Sequence, residues 1–196
     1  MTNAKVLKLL SRYRAYKEVQ EWAEAHGGPM EELWRDCERG DWMLWLAVRA
    51  KIDRRVVVNA ACACARTALQ YVPAGEERPR RAIEAAEAWA RGEETLEAVR
   101  TAADAADYAA ADATYTDYAA AEAATSAYFA ATAANAYAAN VVAAYTAVVN
   151  AASAAFFGSD GGKLACAQTL AECAELVRAY ISAADSETVA LKGRTS

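Results

Sequence analysis

Apolar and polar positions alternate with a helical period in one segment after another. Residues 3–25 interleave Leu, Val, Tyr and Trp with charges at that spacing and end at the run HGGP. PMEELWRDCERG has proline near its start and glycine at its end, as helix termini prefer. Asp41 is placed to cap DWMLWLAVRAK, and Asp53 to cap DRRVVVNAACACARTALQYV, which stops at Pro73. PAGEERP reads as a loop. RPRRAIEAAEAWARG reads as a helix with Arg80 and Glu84 four apart, a mildly stabilising pair.

From Glu93 to Phe157 there is neither glycine nor proline. One helix of that length would span about 95 Å at 1.5 Å per residue. A compact domain predicts two or three helices instead, broken near Asn135–Asn140 and near Thr114–Thr116. GSDGG then makes a turn, Lys163 to Ala184 forms the last long helix, and residues 186–196 form a polar tail. RVVV and VV are β-branched but too short for strands. The expected class is all-α: a compact multi-helix bundle or array of closely packed, alanine-rich helices. It forms a single domain over 1–185, with a Trp- and charge-rich half (1–92), an Ala- and Tyr-rich half (93–157) and a C-terminal helix (163–185). No fixed-period repeat supports a solenoid.

Alanine explains the composition. The hydrophobic fraction is 56%, yet mean hydropathy is only −0.06. A lone alanine helix has little to bury, but helices meeting at alanine faces approach to about 8 Å. Bulky side chains must then fill the space elsewhere, and Trp22, Trp34, Trp42, Trp45 and Trp89 are the natural core knobs. If 101–131 is drawn as one helix, Tyr108, Tyr115, Tyr118 and Phe129 fall within about 80° of one another, with Asp104, Asp107 and Glu122 in the same sector. The opposite side is alanine: Ala105, Ala106, Ala109, Ala113, Ala120, Ala124 and Ala127. The rings either pack on the Trp-rich half or form a contact surface. In the second reading Asp104, Asp107, Tyr108, Tyr115, Tyr118 and Glu122 bind a protein partner. A second candidate is Arg78, Arg80 and Arg81, among Glu76, Glu77, Glu84 and Glu87: either a solvated ion-pair network or an anchor for an acidic loop or phosphate.

Chemistry is largely excluded. A net charge of −5 argues against a nucleic-acid binder. No signal peptide and no membrane span is visible, so a cytoplasmic protein is expected. The five cysteines read as free thiols. Cys62 and Cys64 point about 200° apart on a helix, and Cys166 and Cys173 lie two turns apart, so neither pair suits one metal ion. The one histidine, His26, has no evident catalytic partner. GSDGGKL lacks the spacing and the Ser or Thr of a phosphate loop. No enzyme, metal or cofactor is expected.

The run Leu33–Glu93 resembles an immunity protein family of bacterial polymorphic toxin systems, the fifth-numbered immunity family and its relatives. The similarity lies in Asp41-Trp42 with Trp45, the Cys-x-Cys-Ala-Arg helix (Cys62 to Arg66), and RPRRAIEAAEAWARGE, followed by an alanine-rich helical region. The resemblance implies a cytosolic protein that binds and neutralises a cognate toxin, and it assigns no residues. Three readings remain open beside it: a phage-encoded inhibitor of a host defence system, an enzyme or small-ligand domain with a pocket between helices, and a self-associating helical module. The sequence leaves the oligomeric state open.

Overall fold

The structure, a computed structural model, describes residues 1–113, 117–134, 139–182 and 185. Among them are ten α-helices and no strand. They are α1 Asn3–Arg12, α2 Lys17–His26, α3 Met30–Asp36, α4 Gly40–Arg49, α5 Arg54–Ala68, α6 Arg78–Arg91, α7 Leu96–Ala113, α8 Tyr118–Thr132, α9 Ala139–Phe157 and α10 Gly162–Tyr180, with a 3-10 turn at Leu69–Tyr71 after α5. The all-α class stands, and the glycine-free stretch is three helices.

Helix ends depart from expectation where packing overrides local signals. Residues 3–25 form two helices, because Arg14 takes φ 55°. Arg14 N–H then donates to Ser11 and Ala15 N–H to Leu10, the double bond of a Schellman stop. Lys51 ends α4 the same way at φ 61°, whereas α2 and α6 stop on left-handed glycines, Gly27 and Gly92. Gly40 does not close α3; it opens α4. A Cβ there would lie 2.7 Å from the carbonyl carbon of Cys173, so Gly40 is where α4 and α10 touch backbone to backbone. Asp41 is not a cap. It sits inside α4 with no solvent exposure and pairs with Arg39. Asp53 does cap α5, accepting from Arg55 N–H at 2.8 Å. α10 ends at Tyr180, short of the expected Ala184; residues 183–184 and the tail 186–196 lie outside the described residues.

The alanine prediction is realised in α8, which is enclosed by α5, α6, α7 and α9. Ala119, Ala120, Ala121, Ala123, Ala124, Ala127, Ala130 and Ala131 are all buried, so methyl groups cover most of its circumference. The close approach also brings Ser126 Oγ within 2.7 Å of the Ala147 carbonyl of α9. Trp34, Trp45 and Trp89 are buried as expected. Trp22 and Trp42 are only half-buried, edge-on to each other at 6.1 Å. Residues 181–182 run on past α10, where Ile181 is buried and its carbonyl accepts from Trp34 Nε1 at 3.0 Å.

Candidate functional site

The single helix drawn through 101–131 is corrected: α7 stops at Ala113 and α8 starts at Tyr118. The two helices pack side by side, with Ala109 and Ala110 against Ala124. The candidate residues therefore divide between neighbouring helices. Asp104, Asp107 and Tyr108 lie on the exposed side of α7. Tyr118 and Glu122 are one turn apart on the thin stripe of α8 that alanine leaves uncovered. Tyr115 lies outside the described residues. Phe129 continues that stripe, but packs edge-on to Tyr128 at 5.0 Å and against the core.

Exposure is highest where a contact surface needs it. Tyr108 is 69% exposed and Tyr118 64%. Tyr118 packs against Phe157 at 5.8 Å, and Phe157 against Phe156 at 5.2 Å. Phe157 is itself 55% exposed, and Leu164 is also exposed nearby in sequence on α10. Sequence reasoning missed these phenylalanines. Their signal was an aromatic pair at a helix end directly before the polar GSDGG turn, where a ring has little core left to reach. Gly158 follows, its Cα set so close to the Tyr71 ring that no side chain fits between them.

Charge is concentrated on the same part of the chain. Residues 93–157 contain eight acids and one base, Arg100, a net of −7, so the remaining residues are net +2. Asp104 and Asp107 make no ion pair with a described residue; they do not turn inward to Arg80 or Arg81. Glu122 is half-buried and likewise unpartnered among the described residues, and burial lifts its carboxyl above the ordinary glutamate range. The native state then holds the proton more tightly than the unfolded chain. Glu122 imposes no cost below the ordinary carboxylate range; its cost grows as pH rises from the ordinary glutamate value to the lifted one and is constant above that. Glu122→Gln is therefore expected to melt about 1–2 °C higher than the wild type at pH 7, with the gap closing by pH 4. A variant that melts lower at pH 7 contradicts this.

The second candidate resolves differently. Arg78 clamps Glu76 and, at 2.8 Å, Asp112 of α7. Arg80 pairs with Glu77 at 3.3 Å rather than with the expected Glu84. Glu87 is taken by Arg66 at 2.7 Å. Arg81 is exposed and makes no ion pair with a described residue. Two of the three arginines thus hold carboxylates of their own chain.

Other chemistry is structural in character. Four cysteines are buried and Cys166 is half-buried, all as free thiols. Burial pushes the Cys37 thiol up to about 11, away from reactivity. Among the described residues no cluster of His, Cys, Asp and Glu is built to hold a metal ion. His26 does have a partner, Asp36, at 3.0 Å. Hydrogen bonds from Arg35 chiefly, and from His26, hold Asp36 down to about 2. No hydrogen bond joins His26 to a Ser, Thr or Cys among the described residues. A small pocket of about 40 Å³ between α1, α2, α3 and α4 is lined by Val6, Leu10, Trp34 and other apolar side chains. No described helix is long and apolar enough to cross a membrane.

These features define a helical protein in which Asp41, Glu76 and Glu87 are paired with arginines, while exposed acids and rings lie on α7, α8 and the end of α9. The chain belongs to the family described as "Imm-5 like putative immunity protein", whose sequence model matches residues 48–179. No curated protein and no solved structure matches it. Cys62–Arg66 and residues 78–93 lie inside the matched span; Asp41, Trp42 and Trp45 lie outside it. The aromatic and acidic surface, from Asp104 to Leu164, lies wholly inside.

Proposed function

We propose that the protein is a non-catalytic, cytoplasmic immunity-type protein that neutralises a cognate toxin by binding it directly. The observation that carries this lies on the family-matched helices α7 and α8: Asp104, Asp107 and Tyr108 are exposed, Tyr118 is exposed beside Phe157, and half-buried Glu122 pairs with no cation among the described residues. Unpaired acids speed association with a basic surface and select the partner. Exposed tyrosine and phenylalanine rings supply the area that becomes buried on docking. Occlusion of a basic active-site surface on the toxin is the resulting mechanism.

Co-expression with the product of the neighbouring gene, tested as the toxin, checks the proposal. Cells are expected to survive induction of the toxin only when the immunity-type protein is present, and the two chains are expected to co-purify. Equal killing with and without it, together with no complex between the purified chains, overturns the proposal.

A further inference from the structure

We propose that Glu122 is the socket for one lysine or arginine side chain of the toxin, with Tyr118, Phe157 and Phe156 as the aromatic wall that shields the ion pair. This rests on the binding role proposed above and names the partner chemistry at its centre.

Glu122 differs from three other carboxylates at similar or greater depth. Asp41 is held by Arg39, Glu76 by Arg78 and Glu87 by Arg66, each by an arginine of the same chain. Glu122 has no such counter-charge among the described residues, although it is half-buried. A carboxylate stripped of part of its water gains most from a cation that reaches it directly, because a charge-assisted hydrogen bond then replaces lost solvation. Its surroundings suit a long basic side chain. Tyr118 lies one helical turn before it, on the same stripe of α8. Phe157 packs on Tyr118, and Phe156 on Phe157, with all three rings open to solvent. Such rings attract a cation over their faces and exclude water once covered. Asp104 and Asp107 on α7 stand outside this centre, where they steer the approach of a basic surface over longer distances.

The test uses the purified toxin domain encoded by the adjacent gene. Binding is measured by titration calorimetry and stopped-flow for the wild type, Glu122→Gln, Glu122→Lys, Tyr118→Ala, Phe157→Ala and the pair Asp104→Asn with Asp107→Asn. Glu122→Gln is expected to weaken binding about 10- to 100-fold, mainly through faster dissociation, while its melting temperature does not fall. Glu122→Lys is expected to abolish binding. Phe157→Ala and Tyr118→Ala are each expected to cost about tenfold. The α7 pair is expected to slow association and flatten its salt dependence, leaving dissociation nearly unchanged. Wild-type affinity in Glu122→Gln overturns the socket but leaves the immunity role standing. Absence of any wild-type complex overturns both. Self-association of the wild type that Glu122→Gln abolishes assigns the face to a second copy, and also overturns the socket.

Discussion

Ala123→Leu is expected to lose about 3 kcal/mol of stability, at the upper end of what overpacking costs. Ala123 is fully buried in a small cluster with Ala68 of α5 and Ala151 and Ala154 of α9. Methyl groups meet methyl groups there, with only the partly buried Tyr71 and Val72 packed against the cluster, so three added heavy atoms find few side chains to push aside. They must move a helix instead. α8 has little room to move, because it is flanked by α5, α6, α7 and α9. Ala123→Gly is the control: it adds no volume and should cost only about 1 kcal/mol, through helix propensity. Urea unfolding of both variants checks the pair. A leucine variant no less stable than the glycine variant would mean that the alanine contacts are loose.

Arg39→Ala is expected to cost about 2 kcal/mol. Asp41 has no solvent exposure, and both its oxygens accept from Arg39, at 2.9 Å from Nε and 2.6 Å from Nη2. Removing one member of a buried pair commonly costs about 3–5 kcal/mol, because the other charge stays buried. The guanidinium is 38% exposed, so water screens part of the interaction and the figure is reduced. Some of the remainder is packing, since the guanidinium lies 4.3 Å from the Trp42 ring centre. Arg39→Lys should not rescue, because an ammonium cannot satisfy both oxygens from one plane. The double variant Arg39→Met with Asp41→Leu should recover most of the loss. Thermal and urea unfolding of the single and double variants measure it. An Arg39→Ala variant within about 0.5 kcal/mol of wild type would show that solvent reaches Asp41.

Local signals in the sequence were enough for the class, the alanine packing and most helix ends. Asp53 caps and Gly92 stops as their residue types demand. The failures share a physical cause: they depend on what another helix supplies. Arg14 and Lys51 adopt the left-handed conformation that glycine prefers, so the break inside 3–25 carried no letter to mark it. Gly40 is small because Cys173 touches it, not because a helix ends there. Asp41 reads as a cap until Arg39 is seen to close over it.

The same limit applied to the site. A break near Thr114–Thr116 is expected from the sequence, yet drawing the face as if 101–131 were one helix places Tyr108 and Glu122 on a common side. Folding that stretch back on itself kept the residue types outward but distributed them over α7 and α8. It also brought Phe157 to Tyr118, a contact spanning 118 to 157 that no local pattern encodes. Periodicity shows which carboxylates are exposed or half-buried. It cannot show that Arg66 and Arg78 partner some of them while Glu122 has no cation among the described residues.

Amide hydrogen exchange on the complex with the toxin domain tests the central claim most directly, because it needs no mutation. New protection is expected over α7 from Thr101 to Ala113, the first turns of α8, and the end of α9 into α10 from Ala155 to Leu164, with α1 to α4 unchanged. Protection confined to α1 to α4, with the Tyr118–Phe157 region exchanging as in the free protein, would contradict it.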